Sequence, residues 1–293
     1  MSASPYTKGY YAQNIKSSTP SAIAVLSRLF EHYQPTSVVD FGCGSGAWLA
    51  GAEALGATEL RGFDGPWVDP RALTTPNIDF EPMNFEDQFP TLDRKYDLAI
   101  SVEVAEHLHK SRANKFIELI ASASDVVVFS AAIPYQGGTH HVNEQPQSYW
   151  IKLFADAGFD YYDIFRGAIW NNEDVRWWFR QNILLMVCRG SEVVDRELLR
   201  SLEAPLVDVV HPANFVRKIR LNKERIKELE AENRRLRAEV EFLGGSSVTA
   251  GASCAAGEVA SRVKRDAKRV GRRALRIFRK VQERLVAAIQ RFD

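Results

Sequence analysis

Cysteine is scarce in this chain: three residues, Cys43, Cys188 and Cys254, among 293. They are too few and too scattered for a disulfide framework or a thiolate zinc cluster, which points to a reducing, cytoplasmic setting. Long apolar runs are missing too; none approaches the roughly 18 residues that a membrane-spanning helix needs. The opening residues, Met1-Ser2-Ala3-Ser4-Pro5, lack the basic segment followed by an apolar one that marks a secretory signal. Nor does one sign of charge dominate overall, since 38 Lys and Arg stand against 37 Asp and Glu. That balance hides an asymmetry. Residues 251–293 hold 12 basic and 4 acidic side chains, whereas residues 1–250 hold 26 and 33. A mildly acidic body with a basic tail suggests an anionic partner, either membrane lipid or nucleic acid.

Short β-branched runs alternate with helical patterns through the body. Residues 20–33 carry apolar positions at helical spacing (Ile23, Val25, Leu26, Leu29, Phe30), after a cap at Thr19 with Pro20 in the first turn. Strands are expected at Ser37–Phe41, Glu59–Phe63, Ile78–Glu81, Tyr96–Val102 and Asp125–Ser130, with helices at 45–56 and 111–122. Runs apolar on both faces, alternating with helices, predict an α/β domain with a doubly wound, mostly parallel sheet. A helix at 147–158 then leads to two last strands, around 159–166 and Val175–Cys188, joined by a hairpin connection at Gly167–Asp174. That ending places one antiparallel strand in the sheet.

The composition changes at Phe215. With Ile219 as heptad position a, the a residues are Ile219, Ile226, Asn233 and Val240, and the d residues Phe215, Asn222, Leu229, Leu236 and Leu243. Arg225 with Glu230, and Glu232 with Arg237, make oppositely charged g–e pairs. β-Branched a residues, leucine at most d positions and one core asparagine favour a parallel two-stranded coiled coil, hence a homodimer. The chain thus divides into a body at 1–205, a coiled-coil helix at 214–243, a flexible Ser/Gly/Ala-rich linker at 244–257 and a basic amphipathic helix at 258–293. In that last helix Val259, Val263, Val270, Ile277, Val281 and Leu285 line one side while arginines and lysines crowd the rest. Such a helix suits an anionic membrane surface; a continued coiled coil and an RNA-binding arm are the alternatives.

Val38-Val39-Asp40-Phe41-Gly42-Cys43-Gly44-Ser45-Gly46 ends the first strand and opens the next helix. Glycines there let the backbone turn sharply and approach a ligand beside free helix N–H groups. Gly42, Gly44 and Ala47 alone would also fit a dinucleotide fingerprint. Asp40 in the strand end, the third glycine at 46, and Asp64 after the second strand add to the pattern. With these features residues 36–188 resemble the class I S-adenosylmethionine-dependent methyltransferases, whose fold is Rossmann-like with one antiparallel strand. The resemblance implies that Asp40, Gly42, Gly44 and Gly46 hold the methionine portion of the cofactor and that Asp64 binds its ribose. Asn84 and Phe85 fall where that family contacts the adenine, and Ser101 joins the same cofactor-binding set.

Two polar clusters meet the strand ends. Ser101-Val102-Glu103-Val104-Ala105-Glu106-His107 closes the fourth strand; a helical turn starting near Glu103 would set Glu106 and His107 on one face with it. Gly137-Gly138-Thr139-His140-His141-Val142-Asn143-Glu144-Gln145 follows the fifth strand. Carboxylates with imidazole suit Mg2+ or Mn2+ better than zinc. The Glu-x-x-Glu-His segment and distal His-x-x-Glu resemble the metal site of small-RNA terminal 2′-O-methyltransferases, which implies the ligands Glu103, Glu106, His107 and His141. The 138–145 stretch, with Tyr149-Trp150 and Arg176 to Asn182, is similar to bacterial methyltransferases of surface-polysaccharide and glycolipid assembly. In overall layout the chain is also similar to chain-capping methyltransferases.

A sugar hydroxyl must lose its proton before it attacks a sulfonium methyl, so a cation and a base are needed. His140 is the candidate base, with His107 and Glu144 as the other catalytic candidates. Trp150, Trp170, Trp177 and Trp178 suit either sugar stacking or the core, and Tyr6, Tyr10 and Tyr11 could form a lid. The expectation is a metal-assisted O-methyltransferase of a membrane-associated glycan, acting as a homodimer on the inner face of the cytoplasmic membrane. The rivals are an RNA ribose 2′-O-methyltransferase and a non-catalytic dimeric membrane scaffold.

Overall fold

A computed structural model describes residues 8–202 and 209–242, with side chains described within 18–236 and at 238. The tyrosine lid, the 244–257 linker and the 258–293 basic helix lie outside the described residues or side chains. The chain divides into two compact units, Met1–Leu221 and Asn222–Asp293.

In the first unit the apolar runs form β1 (Ser37–Phe41), β2 (Glu59–Asp64), β3 (Ile78–Pro82), β4 (Leu98–Val102), β5 (Val126–Ser130), β6 (Phe159–Tyr162) and β7 (Leu184–Cys188). They make one seven-stranded sheet in the order β3-β2-β1-β4-β5-β7-β6. All neighbours pair in parallel except at β7, which runs antiparallel to both β5 and β6. Strand order reverses between β1 and β4, so a crevice opens beyond their carboxyl ends. Alternate residues serve opposite faces. Val38, Leu98, Ile100 and Val128 pack under α1 (Lys8–Phe30) and α2 (Ala47–Ala54), whereas Val39, Phe41, Val127 and Phe129 pack under α3 (Ala113–Ala123) and α4 (Gln147–Asp156).

Two expectations need correction. The first helix does not begin at Pro20; it starts at Lys8 and carries the proline inside. An internal proline costs the helix a hydrogen bond, but Ala22, Val25, Leu26 and Leu29 just beyond it are fully buried against the sheet. The hairpin before the last strand is absent as well. Its place is taken by α5 (Arg166–Ile169) and α6 (Trp177–Asn182), which leaves β7 only Leu184–Cys188. The reason is spacing: the buried apolar residues of this segment, Val175, Phe179 and Ile183, are four residues apart, a helical period rather than an alternating one. Trp150 is core, packed on Phe129; Trp170 and the adjacent Trp177 and Trp178 are half-buried.

After α7 (Arg196–Ser201), α8 runs Pro212–Phe242. His211, just before it, and Asn214 in its first turn are buried in the first unit. The expected coiled-coil residues Ile219, Ile226, Leu229 and Leu236 are 39–48% exposed. No helix among the described residues is long and apolar enough to cross a membrane.

The start of the sheet is clamped by Asp97, whose Oδ2 accepts from Thr36 N (2.9 Å), Thr36 Oγ1 (2.8 Å) and Ser37 N (2.9 Å). Burial pushes its carboxyl up, but these donors prevail and hold it below the usual range. Stability from a lowered carboxylate is fully present above the unfolded value of about 3.9 and fades as pH falls through the folded value. Asp97→Ala is therefore expected to cost about 1–3 kcal/mol in urea unfolding at pH 7. The gap to the parent should shrink when the same curves are measured at pH 3.

Candidate active site

The glycine turn is built by three left-handed residues, Gly42 (φ 88°), Gly44 (φ 54°) and Gly46 (φ 78°). Gly42 N and Cys43 N both donate to Phe63 O, at 2.7 and 3.0 Å. Gly44 N donates to Asp64 Oδ2 at 2.7 Å, and Gly65 N to Asp64 Oδ1 at 2.6 Å. The turn is thus laced to the end of β2. A Cβ on Gly42 would lie 2.3 Å from Val104 Cγ2, and one on Gly46 would lie 2.3 Å from Ile78 Cδ1. Above Gly44, in contrast, nothing stands within 4 Å. Open space over a turn at a helix N-terminus, bordered by the half-buried Asp64, fits a ligand with a carboxylate and a diol. Burial pushes the Asp64 carboxyl up while donors from Gly44, Gly65 and Trp67 oppose the rise. Asp40 is buried beneath the turn, and burial and the Asp64 charge push its carboxyl well up.

The other cofactor candidates sit differently. Ser101 is fully buried and donates to Phe41 O at 3.1 Å, tying β4 to β1. The Phe85 ring packs in the core against Phe41 and Phe116. Asn84 is engaged by its own turn, donating to Asp87 Oδ2 and accepting from Glu86 N.

Beyond β4 no α-helical turn forms from Glu103. Glu103 is itself left-handed (φ 57°), and a 3-10 turn follows at Ala105–His107. Glu103 therefore does not share one helical face with Glu106 and His107, yet its carboxylate stays close enough for its charge to act on Glu106. Ser130 Oγ (2.9 Å) and Asn182 Nδ2 (3.0 Å) donate to Glu103 Oε1, and Gln136 Nε2 (2.8 Å) donates to Oε2. Burial pushes Glu103 up, and those three donors oppose it.

Glu106, His107 and His141 do come together: one ligand atom from each lies within 4.8 Å of the others. Of the four expected ligands, Glu103 is outside this group. Glu106 is fully buried, and neither of its oxygens has a well-formed hydrogen bond. Burial and the neighbouring Glu103 charge push its carboxyl well up; the amides of Glu106 and Ala132 only partly oppose this. Burial and the His141 ring push His107 down to about 4, so it is a neutral imidazole at neutral pH. The His107 and His141 rings stand edge to face, 4.8 Å apart. His141 Nδ1 bonds Glu144 Oε1 at 2.9 Å, the arrangement by which a carboxylate orients a metal-ligating histidine and leaves Nε2 to coordinate. A Cβ on Gly138 would fall 2.1 Å from His141 Nε2, so this position admits only glycine while the ring stays there.

An orphaned buried carboxylate beside two imidazoles, one of them already oriented, fits a divalent cation. Two nitrogens in the set move the preference toward Mn2+ and away from Mg2+. Glu144 has its oxygens taken: Tyr135 N donates to Oε2 (2.7 Å), and Gly137 N (2.5 Å) and His141 meet Oε1. It orders the loop. His140 is exposed on the rim in a left-handed turn (φ 60°).

Reading the sequence missed the supporting donors. Ser130, Gln136 and Asn182 come from three elements, and Gln181 links them, donating to Gln136 Oε1 and Asn182 Oδ1, both at 2.9 Å. Their one visible signal is polar side chains inside apolar stretches.

Residues 19–129 match a family described as methyltransferase domain. Among curated proteins no relative matches. Among solved structures, an O-methyltransferase family protein from Burkholderia thailandensis is similar at 15% identity and a TM-score of 0.46, covering 62% of this chain and 59% of that one. Human N-acetylserotonin methyltransferase in complex with SAM is similar at 18% identity and a TM-score of 0.44, covering 62% and 56%. Magnesium protoporphyrin IX methyltransferase from Synechocystis PCC 6803, with bound SAH, is similar at 18% and 0.44, covering 62% and 89%. The chain spans under two thirds of the length of the first two.

Proposed function

We propose that the chain is an S-adenosylmethionine-dependent O-methyltransferase that acts on a sugar hydroxyl of a membrane-associated glycan or glycolipid, assisted by a divalent cation. The observation that carries this reading is the Glu106, His107 and His141 cluster, with its ligand atoms within 4.8 Å and a buried carboxylate lacking well-formed hydrogen bonds. When bound, S-adenosylmethionine would supply the methyl group, and a cation would make a nearby hydroxyl more acidic. Every other task falls to the protein. Gly44 and Asp64 offer the cradle for the donor. His107, held neutral, and His141, oriented by Glu144, supply nitrogen ligands, while Glu106 supplies the compensating charge. His140, exposed on the rim, is the candidate acceptor of the hydroxyl proton.

The exposed a and d residues of α8 support pairing with a second copy. The basic 258–293 segment supports attachment to an anionic leaflet, where lipid-carried glycans would be concentrated.

Titrating Mn2+ into the full chain, with free ion followed by its electron paramagnetic resonance signal, should give stoichiometric binding that is lost in His141→Ala. Calorimetric titration should show S-adenosylmethionine binding. Full methyl transfer in excess chelator would remove the cation from the reading. No heat with S-adenosylmethionine would leave a non-catalytic scaffold. Salt-dependent RNA binding lost on deleting 258–293, without binding to phosphatidylglycerol vesicles, would move the acceptor to an RNA ribose.

A further inference from the structure

The first turns of α8 belong to the same compact unit as the site, which extends to Leu221. They are anchored firmly. His211 N donates to Gln181 Oε1 at 2.9 Å, Asn214 Nδ2 donates to the same oxygen at 3.2 Å, and the His211 ring lies 4.6 Å from Trp170. One turn later the helix brings two cations to the loop that carries His141. Arg217 NH1 donates to Gln136 O at 3.2 Å, and among the described residues no other hydrogen bond occupies its guanidinium donors. The Lys218 ammonium sits directly over Gly137: a Cβ there would lie 2.6 Å from Nζ, and the residue is left-handed besides (φ 69°). The next residue, Gly138, is the one packed against His141.

Neither cation forms a salt bridge among the described residues. Glu144, the carboxylate of this loop, is committed to Tyr135 N, Gly137 N and His141. Two adjacent like charges held at one loop repel each other unless an anion joins them, and a guanidinium beside an ammonium is well suited to phosphate oxygens. On the same loop Tyr135 is 85% exposed in a left-handed conformation (φ 67°). An aromatic ring held out at such a backbone angle is a candidate platform for a sugar face.

We infer that Arg217 and Lys218 bind a phosphate carried by the acceptor, so that the hydroxyl methylated belongs to a phosphorylated sugar. The inference rests on the reading of the site above but is tested without methyl transfer. The full chain is treated with a limiting amine-acetylating reagent, and the rate at each lysine is read by peptide mass spectrometry. The probes are glucose 1-phosphate, glucose, and phosphatidylglycerol vesicles. With glucose 1-phosphate at about five times its dissociation constant, Lys218 should react about sixfold more slowly. Lys223 and Lys227, farther along α8, should be unaffected, glucose should protect nothing, and Arg217→Met should weaken the protection. An unchanged Lys218 rate, as a lysine that merely tethers the loop would give, overturns the inference. Equal slowing of all three lysines, or protection by vesicles alone, overturns it too, because the contact is then general screening or a lipid headgroup. Any of these results leaves the S-adenosylmethionine and Mn2+ tests standing.

Discussion

Glu106→Gln is expected to lower methyl transfer by about three orders of magnitude, or ~4 kcal/mol of transition-state stabilisation, while leaving the metal-free protein more stable than its parent. The two halves have one cause. Glu106 is fully buried, lacks a well-formed hydrogen bond at either oxygen, and lies beside the Glu103 charge. A carboxylate in such a place costs folding free energy unless a cation compensates it. The amide keeps the shape and removes the charge, so the melting temperature in excess chelator should rise, the usual exchange between stability and activity at a functional site. S-Adenosylmethionine affinity should be unchanged, since the glycine turn makes no use of Glu106. Turnover to S-adenosylhomocysteine with a membrane glycolipid extract and Mn2+ measures the first half, and scanning calorimetry the second. A variant that keeps its rate, or melts well below the parent in chelator, would make Glu106 a structural residue.

How much of this was legible beforehand differs between fold and site. Strands β1, β4 and β5 are runs such as Val38-Val39-Asp40-Phe41 and Val126-Val127-Val128-Phe129, buried on both faces, and no helix explains them. The segment before β7 misled because Trp177, Trp178 and Phe179 are contiguous, while the spacing that matters joins Val175, Phe179 and Ile183. At the site, Glu106, His107 and His141 followed from residue type and the strand ends they border. The left-handed backbone at Glu103, and the three donors from which its carboxylate accepts, are not revealed by composition. Those donors, Ser130, Gln136 and Asn182, lie far apart along the chain and meet only once β5, the loop and α6 are in place. The coupling of α8 to Gln181 through His211 and Asn214 has the same character: it is tertiary, and no heptad pattern contains it.

The glycine turn permits a second large effect, separable from folding. Gly44→Leu is expected to weaken S-adenosylmethionine binding at least about 100-fold, or ~2.7 kcal/mol, with only a modest loss of stability. A left-handed non-glycine residue costs about 1–2 kcal/mol, and at φ 54° that is the whole penalty, because nothing lies within 4 Å of the new Cβ. The added side chain instead extends into the open space above the turn. Gly42→Ala provides the contrast. Its Cβ would lie 2.3 Å from Val104 Cγ2 at φ 88°, so it must displace the segment leading to Glu106 and His107, and it should unfold at markedly lower urea. If lack of room alone were at issue, both variants would lose binding in proportion to stability. A folded Gly44→Leu that no longer binds assigns the open face of the turn to the donor. A folded Gly44→Leu that binds as the parent does would mean the crevice beyond β1 and β4 receives something else, and the cluster at Glu106 would then have no methyl group to direct.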